Sequence, residues 1–171
     1  MACALAQSCG PAARPASEEV VVLPSYTPAE SALFDDQFDE AVFGRVGWSA
    51  DHKLHDRVRL ADTVAVAKIV TASEQATGDS APTVVVELAT QGQVLAGAPA
   101  NETVRLNLAA TSPSYHLFRG QRPKLLGKDV VLFYRRYLQG GEERVHFRAE
   151  PNISAVHMAI QQVLSTSTPA P

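Results

Sequence analysis

At 171 residues the chain is long enough for one domain and a tail, and too short for two separate cores. Hydrophobic residues make up 46% and charged residues 19%, the balance of a globular protein and not of a disordered one. The formal net charge of −3 argues against a nucleic-acid role, and no run of roughly 18 apolar residues is present to cross a bilayer as a helix.

Both cysteines, Cys3 and Cys9, fall in the first ten residues, so neither can staple a core or build a thiolate zinc site in the folded region. Ala4-Leu5-Ala6 fits the small-x-small pattern before a secretory cleavage point. Leu5-Ala6-Gln7-Ser8-Cys9 resembles a lipobox, with Cys9 as the residue to be acylated, although Ala6 holds the place usually given to a large aliphatic residue. No Lys or Arg precedes Arg14 and the apolar stretch is short, so the expectation is that the true start lies upstream or that the chain has been trimmed. Residues 1–28 are read as a signal-peptide remnant and an extended Pro- and Ala-containing linker, interrupted by Val20-Val21-Val22-Leu23, which could add an edge strand. The bland reading of the same residues is a disordered cytosolic tail with two incidental cysteines.

Thr27-Pro28-Ala29-Glu30 is a capping box with proline at the first helical position, which starts a short helix. Phe34, Phe38 and Phe43 are expected to share a core-facing side, with Asp35, Asp36, Asp39 and Glu40 in solvent. A second helix is predicted over Asp51 to Ala61, with Leu54, Val58 and Ala61 at helical spacing and Ser49 as its cap. Strands are predicted at Thr63–Thr71, Thr83–Ala89, Val104–Leu108, Val130–Leu138 and Glu142–Ala149. Ser73 to Pro82 reads as a hairpin loop and Ser112 to Lys128 as a long loop. Gly140-Gly141 joins the last two strands in a tight hairpin. Ile153, Val156, Ile160 and Val163 form the apolar stripe of a final helix, and 165–171 reads as a frayed tail. The expected fold is α+β, mainly β. It is a single domain over residues 29–164, a small five-stranded bent sheet or OB-like barrel with short helices before it and one C-terminal helix.

Asp62-Thr63-Val64-Ala65-Val66-Ala67-Lys68-Ile69-Val70, the Val84–Leu88 strand, Glu102-Thr103-Val104-Arg105-Leu106 and Gly127-Lys128-Asp129-Val130-Val131-Leu132-Phe133 follow one another in an order that resembles secreted bacterial domains of the netrin/metalloprotease-inhibitor-like OB kind. The chain lacks the framework cysteines of the animal relatives, including the one that chelates a protease metal, so inhibition by that route is not implied. The whole layout also looks like uncharacterised bacterial lipoproteins, which implies an envelope location and no particular chemistry.

Three clusters are candidates for function. His52 and His55, three residues apart on a predicted helix beside Asp51 and Asp56, could hold a divalent metal, although the four-residue spacing and intervening glutamate of helical zinc hydrolases are absent; a polar helix face explains them equally well. The acidic run at 35–40 lacks the glycine and alternate spacing of a calcium loop and is read as a solvated face. Arg119, Arg122 and Lys124, with Arg144, His146 and Arg148 alternating onto one strand face, form a locally basic surface for an anionic partner; the alternative is a wet sheet face balanced by nearby acids. Ser112, Ser114 and His116 lie close together without a nucleophile elbow, and Trp48 is expected to pack. The resulting expectation is an exported, lipid-anchored envelope protein, periplasmic or outer-membrane-associated. It would act by binding rather than catalysis, need no cofactor, and meet an envelope protein, lipid or polysaccharide. The competing readings are a metal-dependent hydrolase using His52 and His55, and a subunit of a larger envelope assembly.

Overall fold

The computed structural model describes residues 22–76, 81–98 and 102–167. The expectations for Cys3, Cys9 and the linker up to residue 21 lie outside these residues, as do those for the centre of the 73–82 loop and the end of the tail. The described chain is α+β and mainly β. Its elements run α1 (Pro28–Ser31), β1 (Gln37–Phe38), a 3-10 turn (Glu40–Phe43), α2 (Leu54–Leu60), β2 (Thr63–Gln75), β3 (Thr83–Gly97), β4 (Thr103–Ala109), α3 (Pro113–Leu125), β5 (Asp129–Gln139), β6 (Glu142–Pro151) and α4 (Ser154–Ser167).

Six strands form one sheet in the order β1-β6-β5-β2-β3-β4, curled into a half-barrel. Every pairing is antiparallel except β1 with β6. The five expected strands are present, and β1 is the sixth. It is only two residues long, too short to leave a periodicity in the sequence, and it exists because Gln37 and Phe38 lie in register with Arg148 and Ala149. Register shifts along the β2–β3 pair, between Val64 and Ala65, Ala65 and Ala67, and Ile69 and Thr71, add the local twist that bends a sheet. Gly140 and Gly141, both at positive φ, close the β5–β6 hairpin as their sequence requires.

The sheet buries both faces. Alternation sends Val84, Val86, Leu88, Val104, Leu106 and Leu108 to the inner face, where α3 and the 3-10 turn plug the curl. Phe38, Phe43, Phe118 and Phe147 meet edge to face there, with Phe38 and Phe118 ring centres 4.7 Å apart. Val131, Phe133 and Tyr137 face outward and are covered by α2, α4 and Phe34. Val156 and Ile160 of the expected stripe are fully buried on this side, while Ile153 precedes α4 and is exposed.

Several expectations change. Ser112–Lys128 is not a loop: Ser112 Oγ accepts from Ser114 N, Pro113 takes the first turn, and thirteen residues of α3 follow. Pro123 lies inside the last turn and removes a backbone donor there, and Gly120 is exposed; the burial of Tyr115, Leu117 and Phe118 holds the helix despite both. α2 starts at Leu54 with no side-chain cap, so Ser49 does not serve as one. Phe34 packs on the outer face and Phe38 and Phe43 on the inner, because the chain between them is extended and not one helix. β3 runs on to Gly97, well past Ala89.

Gly97 has φ +81°, and a Cβ built on it would lie 2.2 Å from the Asp62 carbonyl oxygen. We expect Gly97→Ala to destabilise the protein by about 1–3 kcal/mol from backbone strain alone, with the clash in addition. Gly47→Ala, where a Cβ meets nothing within 4 Å, should stay within about 0.5 kcal/mol of the parent. Urea denaturation of the two variants checks the contrast.

Candidate functional site

The outer face of β6 presents Arg144, His146, Arg148 and Glu150 in alternation, opposite Tyr137, Arg135, Phe133 and Val131 of β5. The chain before α2 crosses this face and meets it with acids. The Arg148 guanidinium contacts Asp39 at 2.8 Å, Asp35 at 3.2 Å and Glu150 at 3.2 Å. Arg57, only 1% exposed, reaches in from α2 to Asp51 at 2.8 Å and Glu150 at 3.4 Å, and its Nε donates to the Leu33 carbonyl. Trp48 Nε1 donates to the other oxygen of Glu150 at 2.7 Å. His146 lies 2.8 Å from Asp36 and is stacked on Tyr26, with ring centres 3.6 Å apart. Asp36, in the left-handed region at φ 55°, brackets Phe147 by accepting from its N–H and donating to its carbonyl.

Asp35, Asp36 and Asp39 are therefore not a solvated face, as expected from the sequence; they are the counter-charges of β6. Trp48 packs as expected, and it is also a hydrogen-bond donor. The cluster holds four carboxylates (Asp35, Asp39, Asp51 and Glu150) against two guanidiniums. Burial pushes the Asp35 and Glu150 carboxyls up, against the pull of Arg148 and Arg57. Asp51 is also penalised by burial, but its hydrogen bond and charge contact with Arg57 win and hold it below the usual carboxylate range. With its oxygens facing three donors, Glu150 is tied in place as a structural anchor, and each of the three Arg148 guanidinium nitrogens is already held by a carboxylate.

The six residues of the predicted basic surface thus separate. His146 and Arg148 are engaged internally. Arg144 is exposed beside Glu142 at 3.0 Å. Arg119, Arg122 and Lys124 stand on the exposed flank of α3, whose other side buries Tyr115, Phe118 and Leu125. Arg119 lies 3.5 Å from Glu74, which also accepts from the Tyr115 hydroxyl at 2.8 Å. Arg122 and Lys124 have no ion-pair partner among the described residues. A cleft of about 70 Å³ opens between α3 and the far end of β2, bordered by Ser73, Glu74, Phe118, Arg119 and Arg122.

His52 sits on the turn before α2 and His55 in its first turn, both exposed, with His55 Nδ1 3.2 Å from Asp56. Among the described residues no three His, Cys, Asp or Glu side chains gather as a metal-binding group. A separate cleft of about 300 Å³ lies where β4 approaches the β5–β6 hairpin. There Tyr134 donates to Glu102 at 2.5 Å, and Arg136 contacts both Glu102 oxygens. Burial and Glu102 push the Tyr134 hydroxyl up to about 12, which leaves it a donor at neutral pH.

Arg57, expected on the polar surface of its helix, is instead buried, and the role of Glu150 and the hydrogen bond from Trp48 were not read from the sequence. A signal existed: Arg57 falls between Leu54 and Val58 in the apolar phase of its helix, where a solvated arginine has no reason to be. No family model, curated protein or solved structure matches the chain.

Arg57→Met should cost about 1.5–3 kcal/mol in urea denaturation, because it removes the cation of Asp51 and leaves Glu150 with Arg148 alone. The raised carboxyls make a second prediction. A carboxyl raised on folding contributes stability that is fully present below its unfolded value of about 4 and lost as pH rises through its folded value. Asp51, lowered, acts in the opposite sense and only at the acid end of the range. Asp35→Asn keeps an acceptor for Arg148, so it should flatten the change in urea midpoint between roughly pH 7 and pH 4.

Proposed function

We propose that the protein is an exported binding module of the cell envelope, anchored by a lipid on Cys9, and that it meets an anionic partner through the exposed flank of α3. The observation that carries the reading is the pair Arg122 and Lys124, exposed and without a carboxylate partner among the described residues while Arg57 and Arg148 are consumed inside. Residues 112–128 contain four basic residues, Arg119, Arg122, Lys124 and Lys128, and no acid, in a chain whose net charge is −3. A local field of that sign draws anions to one face of an otherwise acidic protein.

Export and anchoring rest on the Leu5–Cys9 box and the linker that follows it. The curl of the sheet around a plugging helix is in keeping with an OB-like barrel, an architecture that offers a binding face without catalytic groups. The placement of the two ends agrees with this. Pro24 and Ser25 join the sheet beside Leu138, at the hairpin end of β5, whereas α3 leads into the opposite end of that strand. The stretch of β5 from Asp129 to Leu138 separates those ends by roughly 30 Å. A tether entering at the hairpin would hold α3 away from the membrane, toward a partner beyond it.

Two measurements test the reading. Native protein expressed from its genomic start should fractionate with membranes and show a mature chain beginning at Cys9 with acyl mass; a soluble chain retaining Met1 sinks the envelope assignment. The domain should bind a sulfated polysaccharide resin, and the double variant Arg122→Ala/Lys124→Ala should elute at clearly lower salt, since each removed cation weakens a screened attraction. Failure of the parent to bind the resin sinks the α3 face.

A further inference from the structure

We infer that the cleft beside α3 is a subsite for a single tetrahedral oxyanion, a phosphate group, gripped by Arg119 and Arg122. The inference rests on the reading of α3 as the working face and gives that face a ligand chemistry. Arg119 and Arg122 are three residues apart on a helix, so they project along one flank with their Cα atoms about 4.5 Å apart along the axis. Both border the same cleft. Its volume of about 70 Å³ suits one group of a few heavy atoms, roughly twice the share of a water molecule in liquid. Planar guanidiniums approaching from two directions match the several acceptor oxygens of a phosphate better than a single cation would.

The cleft already holds an anion. Glu74 borders it and lies 3.5 Å from Arg119, longer than a well-formed charge-assisted hydrogen bond, while its other oxygen is committed to the Tyr115 hydroxyl. Glu74 is 40% exposed and Arg119 63%, so the pair is screened and readily exchanged. Arg122 has no such occupant among the described residues. A phosphate entering the cleft would take up Arg122 and share or displace the carboxylate on Arg119. Phe118 forms an apolar wall that excludes water from one side, which strengthens the contacts. Lys124 lies outside the cleft lining and belongs to the wider cationic field only.

The subsite is tested by titrating inorganic phosphate against chloride at constant ionic strength and following backbone and arginine Nε–H resonances by NMR. Saturable shifts confined to Ser73–Glu74 and Phe118–Arg122 are expected. Arg122→Gln should weaken binding at least about tenfold, as loss of a charge-assisted contact does, and Glu74→Gln should tighten it several-fold by removing the internal competitor. Arg59→Gln, on α2 and away from the α3 face, should leave the phosphate affinity within about twofold, its charge being distant and screened. Non-saturating shifts, or shifts spread equally over Arg45, Arg59 and Lys124, would overturn the site. If the parent still binds the polysaccharide resin in that case, the α3 reading stands and only the subsite falls. Sedimentation with phosphatidic acid vesicles, against phosphatidylcholine vesicles, identifies the source: binding to both free phosphate and phosphatidic acid assigns a lipid headgroup, and binding to free phosphate alone assigns a soluble or glycan-borne one.

Discussion

The structure hangs on Glu150, a carboxylate 3% exposed with three donors converging on it. An ion of that kind is costly to bury, and the cost is recovered only if the geometry satisfies it fully. Here satisfaction comes from three separate pieces of chain. Trp48 belongs to the connection before α2, Arg57 to α2 itself, and Arg148 to the same strand as Glu150. Neither Trp48 nor Arg57 can reach the carboxylate unless the N-terminal third has folded back across β6. The charge cluster therefore selects one docking of that third over the others an apolar surface would permit. This specificity role is the one that compensates for the modest net stability a buried ion network contributes.

The consequences of that docking travel to the other face of the sheet. Asp35 and Asp39, held on Arg148, bracket Asp36, Gln37 and Phe38 and press them alongside β6 as β1. The backbone N–H of Phe38 then donates to Ser114 Oγ at 2.8 Å, a fully buried hydroxyl at the start of α3. One hydrogen bond thus covers the open edge of a short strand and fixes where α3 begins, which manages the exposed-edge problem without adding a full strand. The ring of Phe38, wedged against Phe43, Phe118 and Phe147, completes the seat. The direction in which α3 turns its arginines is, through these contacts, set by a salt-bridge network on the opposite side of the sheet.

How much of this could be read in the sequence follows from the range of each interaction. β4 was legible because Val104, Leu106 and Leu108 alternate with polar residues and the structure buries just those three. The β5–β6 hairpin was legible because Gly140 and Gly141 admit few other turns. The capping box at Thr27 was legible because it is local: Thr27 and Glu30 satisfy one another within four residues. What escaped is long-range. β1 exists only through its partner more than a hundred residues away, and nothing in Gln37-Phe38 marks a strand. α3 escaped because Gly120 and Pro123 are breakers by propensity, and tertiary packing of Tyr115, Leu117 and Phe118 overrode them. The acidic run at 35–39 and the basic alternation at 144–148 were each noticed, but their mutual neutralisation is a fact of topology that neither segment contains.

That neutralisation also decides which cations stay exposed. Both basic segments have the composition of an anion-binding surface, and sequence cannot rank them. On β6 the cations sit on a half-buried strand face, where an unpaired guanidinium would be costly, so the fold had to supply carboxylates from within the chain. On α3 the cations sit on the outer flank of an amphipathic helix, where water carries the charge and no internal partner is required. Burial thus engages the first group internally and leaves the second exposed. Glu74 is the intermediate case, an internal acid loosely held at the border of the two regimes, close enough to occupy Arg119 and exposed enough to give way.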